Sequence, residues 1–283
     1  MPGIVGLIGR PVAHSVSPRF QQAAFDYLAL DVRYEAWDTA DSELEARLAD
    51  LRRPGFLGAN VTLPYKQRAL ALADGRSADA SLAGAANTLV NDCGRLIAHN
   101  TDVQGFRLAL RDEVGFQAQG RRAVVLGAGG AARAVVLALA QEGTKQITVL
   151  NRDPGRAARL VAELAPSLSV HLNSGPLDQA AAAIAGCELL VHCTSLGLAG
   201  SAAAGRSAVP GEMLHRGLMV VDIVANPVLT PLLRQARARG CVILGGLPML
   251  VCQGALAFEL WTGRRAPAAV MMDAARAAMG LDV

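Results

Sequence analysis

Only two lysines, Lys66 and Lys145, occur in a chain whose lysines and arginines together number 27. Arginine stays planar and charged, whereas lysine is a compact donor that can give up its proton, so a retained lysine points to a task arginine cannot perform. Lys66 follows Pro64 at an expected helix start, where the helix dipole disfavours a cation. Groups able to hold a small polar molecule recur around it. Asn60 and Thr62 share a face at the end of an expected strand, and Asn87 and Asn100-Thr101-Asp102 fall at strand ends and helix starts. Ligand sites in α/β domains form at such strand ends. Ser15 and Ser17 alternate in a loop ahead of a helix, a spacing that can hydrogen-bond a carboxylate or a polyol. Plainer readings stand beside these: Ser17 as a helix cap with Ser15 idle, and Asp102 as an N-cap.

A second constellation is Gly127-Ala128-Gly129-Gly130-Ala131-Ala132, which matches G-x-G-x-x-A after an apolar strand and before a helix. The first glycine permits a tight turn and the second lets backbone approach a pyrophosphate. The small third residue lets helix and strand pack closely, and the helix N-terminus attracts the phosphates. The next strand ends in Asn151-Arg152, with Arg156 one helical turn later. NAD sites usually carry an acidic residue there, whereas two guanidinium groups suit a 2′-phosphate, so NADP is the expected cofactor. Asp153 leaves NAD open, because it could meet a ribose hydroxyl instead.

These residues need a scaffold. Ile4–Ile8, Val32–Ala36 and Leu57–Thr62 read as strands, with helices expected behind Ser17-Pro18 and over Asp41–Arg53. Thr88–Val90 and Arg95–Ala98 flank a hairpin turn at Asn91–Gly94. From about residue 106 the strands Ala123–Leu126, Ile147–Leu150, Leu189–Cys193, Leu218–Val224 and Val242–Leu244 alternate with helices, the pattern of a doubly wound nucleotide-binding domain. The expected fold is α/β. An N-terminal α/β substrate domain (1–105, completed by helices in 247–283) is joined to a Rossmann-type dinucleotide-binding domain (106–246).

Composition narrows the partners. Apolar residues make up 52% and charged residues 18%, enough for a packed core and against long disorder. A net charge of +3 without a basic run argues against nucleic acid or a membrane surface as partner. Five cysteines without a CxxC pair suggest neither a disulfide framework nor a zinc site, and no metal is expected. The N-terminus lacks the pattern of a signal peptide and no long apolar run occurs, so a reducing cytoplasmic location is expected.

In order, GRPVAHSVSP, GANVTLPYK, GAANTL, HNTD, VLGAGGAARA, NRDPGR, DIVANPVLTPLL and GGLPML followed by Gln253 resemble the shikimate dehydrogenase family over nearly the whole chain. The resemblance implies an oxidoreductase of aromatic amino acid biosynthesis, on the route to chorismate, that reduces 3-dehydroshikimate to shikimate with NADPH. By that resemblance Lys66 and Asp102 are the catalytic pair. Ser15 and Ser17 bind the substrate carboxylate, and Asn60, Thr62, Asn87 and Gln253 hold ring hydroxyls. Gly127, Gly129, Gly130 and Ala131 cradle the pyrophosphate, and Asn151, Arg152 and Arg156 select the 2′-phosphate. Thr194, Ile223, Gly246 and Met249 line the nicotinamide end. A monomer or homodimer acting on a small molecule is expected. Three positions depart from the family pattern: Ala225 where tyrosine is usual, Asp153 where threonine is frequent, and His192-Cys193 in a segment that usually reads Asn-Ala. The alternatives are a paralogue acting on quinate or an aminated shikimate, and a non-catalytic NADP-binding regulator.

Overall fold

The computed structural model describes residues 2–281. The chain divides into two units, one comprising Met1–Gly105 with Leu250–Val283 and the other Phe106–Met249. Among the described residues each unit is built on a six-stranded sheet.

In the first unit the elements run β1 (Gly3–Gly9), α1 (Ser17–Tyr27), β2 (Val32–Asp38), α2 (Leu44–Asp50), β3 (Phe56–Val61), α3 (Lys66–Leu72), β4 (Gly75–Arg76), α4 (Ala78–Ala83), β5 (Thr88–Asp92) and β6 (Arg95–His99). The helix α5 (Thr101–Val114) follows. The strand order is β2-β1-β3-β5-β6-β4. β1 pairs in parallel with β2 and β3, whereas β5 runs antiparallel to both β3 and β6. β1 carries five consecutive buried residues, Val5–Gly9, as a strand covered on both faces must. One face of the sheet buries Ile8, Leu44, Leu48, Val61, Tyr65, Leu89 and Leu96 in a continuous core.

Phe106–Met249 contains β7 (Arg122–Leu126), α6 (Gly130–Gln141), β8 (Gln146–Asn151), α7 (Pro154–Leu164), β9 (His171–Pro176), α8 (Ala180–Ala185), β10 (Leu189–His192), β11 (Met219–Asp222), α9 (Pro231–Ala238) and β12 (Val242–Leu244). α10 (Gly246–Thr262) and α11 (Ala268–Ala278) complete the chain, and α11 packs on α1. The order β12-β11-β10-β7-β8-β9 is parallel throughout, which is the doubly wound Rossmann order with its switch point between β7 and β10. No helix among the described residues is long and apolar enough to cross a membrane.

Three local expectations are corrected. The expected helix over Asp41–Arg53 is a 3-10 turn, Asp41–Glu43, followed by the shorter α2. The Glu43 carboxylate accepts from the Ala40 N–H and closes that turn separately. Ser17 is not a cap but the first residue of α1, whose cap position is Val16. Asp102 lies inside the first turn of α5, and it is the Asn100 side chain that accepts from the Asp102 N–H, at 3.2 Å.

Candidate active site

The loop between β3 and α3 begins with Thr62 and makes Lys66 the first helical residue. α5 begins after β6 with only Asn100 between them, and places Asp102 in its first turn. Lys66 Nζ meets Asp102 Oδ2 at 2.6 Å, with side-chain exposures of 15% and 7%. Such partial burial strengthens the pairing relative to a surface ion pair and still leaves the ammonium reachable. The second carboxylate oxygen is held as well: Asn87 Nδ2 donates to Asp102 Oδ1 at 2.8 Å. The same amide nitrogen contacts Gln253 Oε1 at 3.0 Å and Thr101 Oγ1 at 2.9 Å. Asn87 Oδ1 accepts from the Thr101 N–H at 2.7 Å. Lys66, Asp102, Asn87 and Gln253 therefore form one connected hydrogen-bond chain.

Asn60 is buried beside it. Its Nδ2 donates to Asn87 O and Thr88 Oγ1, both at 3.2 Å, and its Oδ1 accepts from the Tyr34 hydroxyl at 2.8 Å. Both amide hydrogens are spent on the protein, so Asn60 can offer a ligand only its remaining acceptor lone pair. Burial pushes the Tyr34 hydroxyl far up from its ordinary value, which keeps it a proton donor to Asn60. Sequence reasoning singles out neither Tyr34 nor Thr88. The inward place of Tyr34 in the alternating segment Val32–Asp38 is the signal that could have found it.

The other predicted contacts are less tightly tied. Ser15 Oγ accepts from the Ser17 N–H at 3.2 Å, which fixes one hydroxyl against the start of α1. Thr62 packs its methyl near Gly9, and its N–H and C=O bond to Ile8 and Tyr65. No hydrogen bond among the described residues joins the side chains of Ser15, Ser17 or Thr62 to the Lys66–Gln253 chain.

In Phe106–Met249 the predicted residues gather at the carboxyl ends of the strands. Gly127 adopts φ +116°, and a Cβ there would come within 2.8 Å of Cys193 O and 3.0 Å of Thr194 Cγ2. Both conformation and space therefore demand glycine. A Cβ on Gly129 would meet nothing within 4 Å, so this backbone is open to a ligand. Gly130 and Ala131 start α6, which has no side-chain cap, leaving first-turn N–H groups for an anion. Arg152 follows β8 and Arg156 lies in the first turn of α7; both are exposed, and their guanidinium groups make no ion pair or hydrogen bond among the described residues. Asp153 is engaged, because its side chain caps α7 through the Gly155 N–H at 3.0 Å. Asn151 donates to Asp153 O at 2.9 Å. A Cβ on Gly246 would lie 2.2 Å from Ile223 O, so the start of α10 sits directly on the turn after β11. Met249 is buried on that helix. An open glycine turn, an uncapped helix start and two unpartnered guanidinium groups fit a phosphorylated dinucleotide. Sequence reasoning missed a buried cluster beside this cradle: His192, Asp222 and Thr230 are joined by hydrogen bonds to the Asp222 carboxylate.

A Rossmann unit with such a cradle, in a chain that also carries a lysine–aspartate pair among amides, defines a pyridine-nucleotide-dependent dehydrogenase. Profiles for the shikimate dehydrogenase substrate binding domain, shikimate / quinate 5-dehydrogenase and the shikimate 5'-dehydrogenase C-terminal domain match residues 7–89, 109–230 and 246–276. The shikimate dehydrogenase (NADP(+)) of Symbiobacterium thermophilum is 44% identical over 98% of this chain and 95% of its own length. The shikimate 5-dehydrogenase of Thermus thermophilus, solved with NADP(H) and shikimate, superposes with a TM-score of 0.86 at 42% identity, covering 98% of this chain and 99% of that one. Quinate dehydrogenase of Corynebacterium glutamicum, solved with NAD, superposes at 0.89 with 30% identity, covering 96% and 98%. The chain belongs to the shikimate dehydrogenase family.

Proposed function

We propose that this chain is an NADP-dependent shikimate dehydrogenase that interconverts 3-dehydroshikimate and shikimate. The observation that carries the reading is the Lys66–Asp102 pair at 2.6 Å, fixed through Asn87 to Gln253. When bound, NADPH supplies a hydride to the ring ketone. Lys66 Nζ donates to the ketone oxygen as negative charge develops there and passes it a proton, giving the alcohol. Asp102 holds the ammonium in place, and Asn87 keeps the carboxylate from rotating. In the oxidation direction Lys66 takes the hydroxyl proton. Ser15 and Ser17 are assigned to the substrate carboxylate. Ser15 Oγ already accepts from the Ser17 N–H, so its own proton is free to donate. Asn60, Thr62, Asn87 and Gln253 are assigned to the ring hydroxyls, with Asn60 as an acceptor only.

The first unit is thus the substrate domain and Phe106–Met249 the cofactor domain. Gly127, Gly129, Gly130 and Ala131 hold the pyrophosphate, Thr194, Ile223, Gly246 and Met249 face the nicotinamide end, and Asn151, Arg152 and Arg156 meet the 2′-phosphate. The engagement of Asp153 as a helix cap supports NADP over NAD. The enzyme works in the cytoplasm, as a monomer or homodimer, in aromatic amino acid biosynthesis. Free cysteines, two of them buried, suit a reducing compartment. A second reading, preference for quinate or an aminated shikimate, is favoured by Ala225, which removes a side chain the family usually supplies. Initial rates with shikimate and quinate, each with NADP and NAD, test the assignment. The highest kcat/KM is expected for shikimate with NADP. A clear preference for quinate with NAD would transfer the assignment to the second reading, and inactivity with all four combinations would remove it.

A further inference from the structure

His192 ends β10 and pairs in register with Asp222, which ends β11. Both are buried, and His192 Nδ1 lies 2.9 Å from Asp222 Oδ1. The Asp222 carboxylate also accepts from the Val224 N–H at 3.0 Å and from the Thr230 hydroxyl at 2.6 Å. Its oxygens thus act as acceptors, so the imidazole Nδ1 carries the hydrogen and, in the neutral ring, Nε2 is an acceptor. Nε2 lies 2.5 Å from Thr194 Oγ1, so the threonine hydroxyl must donate to it. Thr194 Oγ1 accepts in turn from the Leu196 N–H at 3.2 Å. This fixes the Thr194 rotamer, with the hydroxyl turned to His192 and the methyl against Gly127, where a Cβ would approach Cγ2 to 3.0 Å. Thr194 and Gly127 flank the switch point between β7 and β10, where doubly wound sheets bind their ligands.

We propose that His192 is a positioning residue for the dinucleotide: through the relay Asp222–His192–Thr194 it locks the Thr194 side chain, and with it the packing of the phosphate-binding turn at Gly127. The inference rests on the NADP reading of this domain. Asparagine reproduces the Nδ1 donor of histidine but not its Nε2 acceptor. His192→Asn therefore keeps Asp222 satisfied while releasing Thr194, which separates positioning from folding. Thr194→Val releases the same bond from the other end and keeps the methyl on Gly127.

The test is NADP binding measured by titration, not turnover, on the wild type, both single variants and the double variant. His192→Asn and Thr194→Val should each weaken NADP binding by about three- to tenfold, the scale of one lost neutral hydrogen bond. The double variant should bind no more weakly than the poorer single variant, because both remove one interaction. The shikimate KM of His192→Asn should stay unchanged. Nitrogen NMR of the wild-type imidazole should show Nδ1 protonated and Nε2 bare. NADP binding within about twofold of wild type in both single variants, fully multiplicative effects, or a protonated Nε2 in the neutral ring would overturn the proposal. A wild type that binds NADP poorly and NAD well would overturn the functional reading, and this inference with it.

Discussion

Asp102→Asn isolates what the ion pair does. The carboxylate faces two donors, Lys66 Nζ at 2.6 Å on Oδ2 and Asn87 Nδ2 at 2.8 Å on Oδ1. An asparagine must turn its own NH2 toward one of them, so a donor opposes a donor in either orientation, and Lys66 loses its counter-charge. Hydrogen bonds to charged groups contribute about 1.5–3 kcal/mol. The pair is only partly buried, so the cost belongs below the figure of about 3–5 kcal/mol typical of breaking a fully buried pair. About 2–3 kcal/mol expressed in the transition state lowers kcat by about 30- to 150-fold. Initial rates of NADPH formation at saturating shikimate measure it, with NADP binding titrated in parallel and expected to be unchanged. Lys66→Ala should cost as much or more, about 10²–10³-fold in kcat, and Lys66→Arg should not restore it, because arginine is poor at releasing a proton. A kcat for Asp102→Asn close to wild type would refute the argument that the carboxylate orients Lys66.

Arg152→Ala removes an unpartnered guanidinium at the end of β8 and should raise the NADP KM by about 10–100-fold with little effect on NAD; equal effects on both cofactors would remove Arg152 from 2′-phosphate recognition. Ala225→Tyr should lower the shikimate KM by several-fold to about tenfold by restoring a ring wall and a hydroxyl. Tyr65 cannot already fill that role, since it is buried in the first unit's core with its hydroxyl donating to Thr39 O at 2.8 Å. An unchanged KM would show that this position does not govern substrate binding. Burial pushes the Cys187 thiol up to about 12, and Cys193 and Tyr34 are shifted upward too. The unfolded chain releases these protons at lower pH, so their contribution to stability is present below about pH 9 and is lost as pH rises toward 12. The urea midpoint should therefore fall steadily through that window, and a flat profile would contradict it.

Much of this was legible in the sequence because it is enforced locally. The turn at Gly127 needs glycine for both its φ and its contact with Cys193, so the residue type betrays the geometry. Lys66 stood out as a lysine in an arginine-rich chain. What stayed hidden depends on register between distant strands. His192 meets Asp222 only because β10 and β11 pair there, 30 residues apart. The Asn60–Tyr34 bond likewise joins two strands, β2 and β3, that are both neighbours of β1. Asp102 has the residue type of a cap, and only its place one residue inside α5 frees its carboxylate for Lys66.

The proposed reaction requires direct hydride transfer between the shikimate carbinol carbon and the nicotinamide, with Lys66 handling only the proton. Shikimate deuterated at that carbon, oxidised by the wild-type enzyme with NADP, tests it in one measurement. The deuterium should be recovered on C4 of the nicotinamide; deuterium released to solvent while the ketone forms would rule out direct transfer.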